Sequence, residues 1–295
     1  LRIRGLVSEP REMRSGTEVT MKPGSFLSFR SSRQLVLTLC FTVILVQAYD
    51  NTFAWTDQFW GAETTNDSSK DLCLDDKVLA IATAAGNIYA GGFLTTSVST
   101  CSIQGASSRT TAVVKAYISG SAWFDKFTAA SADKSHQVNA VAARSDFSTA
   151  GLGEMVVAGG DTYGVIDTTI SSITNAGSQD SFVRVYRNGS AEWTKQLGTS
   201  GTDRITAVGI DSVGNVLVAG YTGGALAGRN QGSSDAFLRK YSSDGKTVSW
   251  TQQFGTSGDD RIYALALDSS NNIYVAGATT GALTTAKNQG QFDGF

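Results

Sequence analysis

Two pairs of charged residues recur at the same place in a repeated stretch of the sequence. Asp203-Arg204 and Asp260-Arg261 each follow a Gly-Thr-Ser-Gly loop and precede an apolar segment. Paired charges that recur around one opening could recognise a polar ligand. Alternatively, each Asp closes its own glycine-rich loop through its side chain and the adjacent Arg pairs with it. We favour this second interpretation, because every repeat needs the same loop closed, and we keep the four residues as candidates for ligand binding.

Polar loops supply the second group of candidate binding residues. Four of them vary in length while the segments around them stay regular, and their Thr, Ser, Asn, Gln and Gly content suits hydrogen bonding to sugars or peptide backbone. Ordinary surface loops have the same composition, so that alternative stays open. The loops are residues 95–109, 161–180, 222–234 and 279–292, and the residues that we expect to bind are Asn230, Gln231, Asn288 and Gln289.

Motifs for catalysis or metal binding are weak in this chain. His136 is the single histidine and lies in a polar stretch, and Gly-x-Ser-x-Gly, His-Glu-x-x-His and Cys-His clusters are absent from the sequence. A Ser-His-Asp triad is defined by geometry, so the sequence leaves that alternative open. Calcium takes about six to eight oxygen ligands, whereas each Asp-x-x-Gly-Asn turn offers one carboxylate. We predict no catalytic site and no cofactor, with calcium as the minor alternative.

Cysteines and glycosylation sequences are typical of an oxidising, secretory route. Cys73 and Cys101 remain as an even pair after the N-terminal segment is set aside, which favours one disulfide over two buried thiols. Asn66-Asp-Ser and Asn188-Gly-Ser are candidate N-glycosylation sites.

The N-terminal segment is predicted to lie outside the fold. Residues 1–20 resemble translated leader sequence. Residues 21–48 contain basic side chains, then the apolar run Leu35–Val46, then small residues, which is the pattern of a cleaved signal peptide. The run is shorter than the ~20 apolar residues that span a bilayer, which argues against the alternative of a membrane anchor. We therefore expect a secreted or cell-surface protein.

The composition of residues 49–295 limits the partners. This region carries 17 Lys and Arg against 23 Asp and Glu, and this mildly acidic balance argues against nucleic acid or an anionic membrane surface. Its many short apolar runs, separated by Gly, Ser, Asp and Asn and free of proline, favour strands joined by tight turns.

The repeat defines the elements that must position these residues. The stretch that begins at Trp193 recurs 57 residues later at Trp250, and the match continues through both loops and strands. Each unit contains four short apolar segments without a helical period, joined by turns such as Asp211-Ser-Val-Gly-Asn, where Gly supplies a positive φ. In the clearest unit the predicted strands are Ile205–Ile210, Val216–Tyr221, Asp235–Tyr241 and Val248–Phe254.

One four-stranded sheet of this size cannot bury both faces, whereas radial stacking of such sheets can. We therefore predict an all-β fold, a β-propeller built of four-stranded antiparallel blades, with about three full blades and a truncated fourth. Trp123, Trp193 and Trp250 are expected to pack between blades, and Phe53–Trp60 is expected to close the propeller by pairing with the last blade. The predicted blades of the propeller region, residues 49–295, are 61–127, 128–197, 198–254 and 255–295.

The repeated residues resemble the SBBP family of β-propeller repeats. That pattern has a Trp, Gly-Thr-Ser-Gly-x-Asp, an Asp-x-x-Gly-Asn turn, an apolar strand ending in Gly, then Asp-Ala-Phe and a Tyr. Trp193 to Tyr241 follows it nearly throughout, and so does Trp250 to Phe295. The first two units depart from it, for example where Ser135-His136 replaces Asp-Arg. The resemblance implies a secreted or surface propeller whose inner strands line a channel, and it implies no reaction.

The expected function is a non-catalytic binding or adhesion module for an extracellular protein or glycan. One alternative is a targeting module of an extracellular enzyme whose catalytic part lies downstream, because Asp293-Gly294-Phe295 matches the start of a strand and predicts a fragment. The other is a structural component of an extracellular matrix or wall. The expected partners are extracellular proteins or polysaccharides, with membrane contact only through an uncleaved signal segment.

Overall fold

The computed structural model describes residues 77–96, 109–117, 123–127, 135–147, 152–167, 174–285 and 287–295, together with four short strands nearer the N-terminus. The chain forms two compact units, Leu1–Leu37 and Thr38–Phe295. In the first unit Arg2–Ile3 pairs with Val19–Thr20. Cys73, Cys101, Asn66 and most of the predicted leader and signal peptide lie outside the described residues.

Trp55–Gln58 is a strand, but its partner differs from our prediction. It pairs antiparallel with Thr42–Leu45, not with the last blade. Thr42–Leu45 is a run of β-branched and apolar residues, which suits a strand. The two segments are close in the sequence, so joining them costs little loop-closure entropy compared with pairing across the whole propeller.

Four consecutive antiparallel sheets occupy the second unit and form the blades of a β-propeller, which confirms the predicted fold class. The first three blades each have four strands in meander order, and the fourth has three strands up to Phe295. The strands of the first two blades are Lys77–Ala84, Asn87–Thr96, Arg109–Tyr117, Trp123–Lys126, and His136–Arg144, Met155–Thr162, Asp180–Arg187, Ser190–Leu197. Those of the last two are Asp203–Ile210, Val216–Thr222, Asp235–Tyr241, Val248–Phe254, and Asp260–Leu267, Ile273–Thr279, Asp293–Gly294.

The turns between first and second strands form as their residues predict. Asp211 Oδ1 accepts hydrogen bonds from the backbone N–H groups of Val213 and Asn215, at 3.0 and 2.8 Å. Gly214 has a φ of 86°, and Asn271 takes the same place in the fourth blade with a φ of 63°. Asn tolerates this left-handed conformation better than other non-glycine residues, so the repeat can exchange the two.

A β-bulge in every first strand sets the direction of the side chains at the start of each blade. The bulged residue has no partner on the second strand, and the residue before it faces a glycine there, as Ile205 faces Gly220. A side chain at that glycine would collide with the first strand, because a Cβ at Gly220 would lie 1.9 Å from the carbonyl oxygen of Arg204. The bulged residues are Leu79, Asn139, Thr206 and Tyr263. Two of their side chains bond the next blade: Asn139 Nδ2 donates to the Ile205 carbonyl at 2.9 Å, and Thr206 Oγ1 donates to the Ile262 carbonyl at 2.5 Å.

Apolar cores fill the spaces between successive blades. The ring centroids of Trp123 and of Tyr186 in the next blade lie 4.8 Å apart. Those of Trp193 and Tyr241 lie 5.9 Å apart, and the Trp193 indole N–H donates to the Ser243 carbonyl. These contacts confirm that the two tryptophans pack between blades. The first strands of adjacent blades pack against one another, so the start of each first strand lies next to the start of the following one.

Candidate functional site

The repeated aspartates close their own loops. Asp203 is 1% exposed, and its carboxylate accepts the Thr199 N–H at 2.6 Å and the hydroxyl of Thr222 on the neighbouring strand. Burial raises the pKa of the Asp203 carboxyl, and the hydrogen bonds from the two threonines counteract part of that rise. Asp260 repeats the arrangement and accepts the Thr256 N–H at 2.5 Å. These carboxylates stabilise the glycine-rich loops and are not open to a ligand.

The repeated arginines do not pair with the aspartates that precede them. Arg204 Nε lies 2.9 Å from Asp161 Oδ2 in the preceding blade. The Arg261 guanidinium lies 4.8 Å from the centre of the Tyr221 ring, and its Nη2 lies 3.3 Å from Asp259 Oδ1. The expected Asp-Arg pairing is therefore wrong. Successive residues of a strand point to opposite faces, so the Asp turns to its loop and the Arg reaches the neighbouring blade.

The candidate residues of the polar loops also serve loop closure. Asn230 and Asn288 each accept, through Oδ1, the N–H two residues further on, at 3.2 and 3.0 Å. Gln231 and Gln289 donate their backbone N–H to the Asp that opens the third strand, and their side chains are exposed. Asn175 makes the same bond in the second blade. Asn-x-Gly-x-x-Asp is thus a structural motif that we had not identified from the sequence.

A depression of about 480 Å³ lies beside one of these loops and is lined by Gly228, Arg229, Asn230, Gln231 and Gln253. Gln253 is already engaged, because its Nε2 donates to Asp235 and its Oε1 accepts two backbone N–H groups. Most of the polar groups that line this depression therefore already bond within the loop, and we do not place the functional site here.

A different pocket lies at the start of the second blade, where that blade lacks the Asp-Arg pair of the repeat. Strand register equates His136 with Asp203 and Asp260, since each faces the threonine that ends the second strand. The second blade therefore has His136-Gln137 where both later blades have Asp-Arg. These two residues line a pocket of about 290 Å³ together with Ser135, Asp161, Tyr163 and Gln179 of the same blade. Thr110 of the first blade and Arg204 of the third blade complete the lining.

Asp161 is the centre of the polar network in this pocket. Its side chain is buried and accepts four donors: Arg204 Nε at 2.9 Å, Asn139 Nδ2 at 2.7 Å, Gln179 Nε2 at 2.7 Å and Gln137 Nε2 at 3.2 Å. Two of the donors belong to the first strand of its own blade and one to the next blade. A buried carboxylate with this many donors is fixed in position, so the pocket is lined by preorganised polar groups.

His136 replaces the loop-closing Asp and is held by the same threonine. Its Nδ1 lies 2.5 Å from Thr162 Oγ1, and because that hydroxyl donates to the Gly164 carbonyl at 2.8 Å, the imidazole donates through Nδ1–H. Burial lowers the pKa of His136 to about 4, so the ring is neutral at pH 7. Its Nε2 is buried and has no hydrogen-bonding partner within the described ranges. Thr162, not an aspartate, orients this ring.

Comparison with known families agrees with this geometry. A model of the SBBP β-propeller repeat matches residues 192–226 and 249–283. The chain carries SBBP β-propeller repeats. Each match begins in the fourth strand of one blade and continues through the first two strands of the next. The second-blade residues of the pocket lie outside both SBBP matches. No curated protein matches the chain.

The remaining sequence-based sites lie away from the pocket. Asn188 is exposed in the turn between the last two strands of the second blade, and its Oδ1 accepts the Glu154 N–H at 3.0 Å.

In the Asp211 turn of the SBBP repeat, burial raises the pKa of the carboxyl, but hydrogen bonds from Lys240, Asn215 and Val213 outweigh it and lower the pKa overall. Both Asp211 oxygens thus already accept donors.

Two further properties of the described residues concern metal binding and membrane crossing. In the ranges that the structure covers, no group of three His, Cys, Asp or Glu side chains is arranged to hold a metal ion. The same ranges contain no helix with the length and apolar character required to cross a membrane.

Proposed function

We propose that the chain is a secreted or cell-surface β-propeller that acts as a non-catalytic binding module for an extracellular protein or glycan. We place its ligand in the pocket around Asp161. One observation carries this proposal: the recurring aspartates close their own loops, whereas His136-Gln137, which replaces the Asp-Arg pair of both later blades, lines a polar pocket. The repeat is thus broken at the point where a cavity lined by fixed polar groups opens.

The chemistry of the pocket supports recognition over catalysis. The Asp161 carboxylate is saturated by four donors, so it is poorly placed to abstract a proton. The imidazole of His136 is neutral and buried, and its Nδ1–H is committed to Thr162. What the pocket offers is a set of fixed donors and acceptors, which is what orients a bound ligand.

A pocket-filling variant tests this proposal. The purified full chain is applied to arrays of glycans and of extracellular proteins, in parallel with Gln137→Trp, which places an indole in the pocket. Lys246→Trp, on an exposed turn residue that lines neither cavity, is the matched control. We expect Gln137→Trp to lose binding and Lys246→Trp to keep it, with circular dichroism confirming that both fold. Equal binding by both variants would contradict the proposed site.

A further inference from the structure

The described residues that line the pocket around Asp161 carry no net charge. Arg204 and Asp161 are the only charged groups among its described lining residues, and they form an ion pair at 2.9 Å. His136, the other lining group that could carry a positive charge, is neutral because it is buried. An anionic ligand would have to compete with a buried carboxylate for the arginine. The electrostatics therefore favour a neutral ligand.

The lining mixes donors and acceptors at close spacing. Thr110 and Ser135 carry hydroxyl groups, and Gln137 and Gln179 carry amides whose NH₂ groups donate to Asp161 and whose oxygens accept no hydrogen bond from another described residue. Arg204 is 32% exposed and uses Nε and one Nη2 contact within the protein, which leaves further N–H groups. A ligand that both donates and accepts at adjacent atoms, as a polyhydroxylated ring does, matches this lining.

A single aromatic ring lies at the edge of this polar lining. Tyr163 is 47% exposed, and its backbone N–H donates to the Ser135 carbonyl at 3.0 Å, which fixes it beside the pocket. The equivalent positions in the third and fourth blades hold Gly223 and Thr280. An exposed aromatic face beside fixed polar groups suits a ligand with one apolar and one polar side.

The size of the pocket limits the ligand to one ring. Its volume of about 290 Å³ is at the lower limit of the ~300–1,000 Å³ of small-molecule sites. We infer that the pocket binds one neutral pyranose ring, the terminal residue of a neutral glycan, with the C–H face of the sugar against Tyr163 and its hydroxyls toward Arg204 and the glutamine amides. This inference rests on the proposed binding function and names its ligand class.

Ligand-observed NMR on the full chain tests the inference. The probes are glucose, galactose, mannose and N-acetylglucosamine, with glucuronic acid and sialic acid as anionic counterparts. We expect saturation transfer to at least one neutral sugar and none to the acids. Tyr163→Ala should weaken that binding about tenfold, and Tyr163→Phe should retain it. Tyr274→Ala is the matched control, because Tyr274 is comparably exposed at 59% but lies in the fourth blade.

Each contrary result has a distinct meaning. Stronger binding of the anionic sugars would overturn the neutral-ligand inference and leave the binding role of the pocket intact. Absence of binding by all six sugars, or binding unaffected by Tyr163→Ala, would also overturn the sugar inference. The proposed function itself fails only if partners captured on the arrays bind Gln137→Trp as well as the parent chain.

Discussion

Equivalent arginines make different contacts at two blade junctions, the one between the second and third blades and the one between the third and fourth. At the first, Arg204 pairs with the buried carboxylate of Asp161. At the second, Arg261 lies over the ring of Tyr221. The strand pairing and the position of the bulge are equivalent at both. The repeat therefore fixes where the arginine reaches, and the residue on the neighbouring blade decides whether the junction is a polar pocket or a packed contact.

Removing the partner of each arginine should give the largest difference between the junctions. Asp161→Ala removes the shared acceptor of four donors, among them the buried amide of Gln179 and the charged Nε of Arg204, so we expect a loss of about 3 kcal/mol in the free energy of unfolding. Tyr221→Leu keeps apolar bulk and removes only the aromatic face, so we expect a loss below about 1 kcal/mol. Urea unfolding of both variants measures the difference, and equal losses would show that the two junctions are energetically alike.

The residue at the loop-closing position should make the stability of the second and third blades respond differently to pH. Burial holds the folded pKa of His136 at about 4, below its unfolded value near 6.5, so the unfolded chain binds more protons between these values. Stability from His136 is present above about pH 6.5 and is lost as pH falls toward 4, by about 3 kcal/mol. Asp203 has the opposite sign, because burial raises its pKa and its neutral form favours folding.

Unfolding as a function of pH checks this contrast. His136→Asp restores the residue of the later blades, and we expect its stability to decline less between pH 6.5 and 4 than that of the parent chain. Parallel curves for the two proteins would mean that other groups cause the acid sensitivity.

The bulged residues give the smallest expected effect. Thr206→Val removes the hydroxyl that bonds the Ile262 carbonyl and preserves side-chain shape, so we expect a loss of about 1 kcal/mol. Asn139→Leu should cost more, because Asn139 also bonds Asp161 and accepts from Arg204. Thermal unfolding ranks the two, and a larger loss for Thr206→Val would indicate that the polar network contributes little.

Local chemistry made most of the fold predictable. The Asp-x-x-Gly-Asn turn, the strands and the packing of Trp123 and Trp193 depend on residues close in sequence or on the repeat itself, and the structure confirms them. The partner of Trp55–Gln58 was not predicted correctly, because pairing between strands leaves little trace in a single sequence.

The site was less accessible to sequence reasoning. Its arginine comes from a different blade than its carboxylate, and Asp161 was assigned to a loop because the second strand was expected to end at Gly160, whereas it continues to Thr162. One signal was available, because the Asp-Arg pair is missing from the second unit, but the sequence comparison placed Ser135-His136 there, whereas the strand register places His136-Gln137. The loop residues that appeared most suitable for binding, such as Asn230, form hydrogen bonds within their own turns.

The most direct test of the account restores the repeat within the second blade. The variant carries the third-blade residues at five positions that line the pocket: His136→Asp, Gln137→Arg, Asp161→Tyr, Tyr163→Gly and Gln179→Ser. Binding to the array partners is measured alongside circular dichroism and thermal unfolding. The account predicts a folded propeller that no longer binds. A folded variant that binds as the parent chain does would contradict the claim that recognition lies where the repeat is broken.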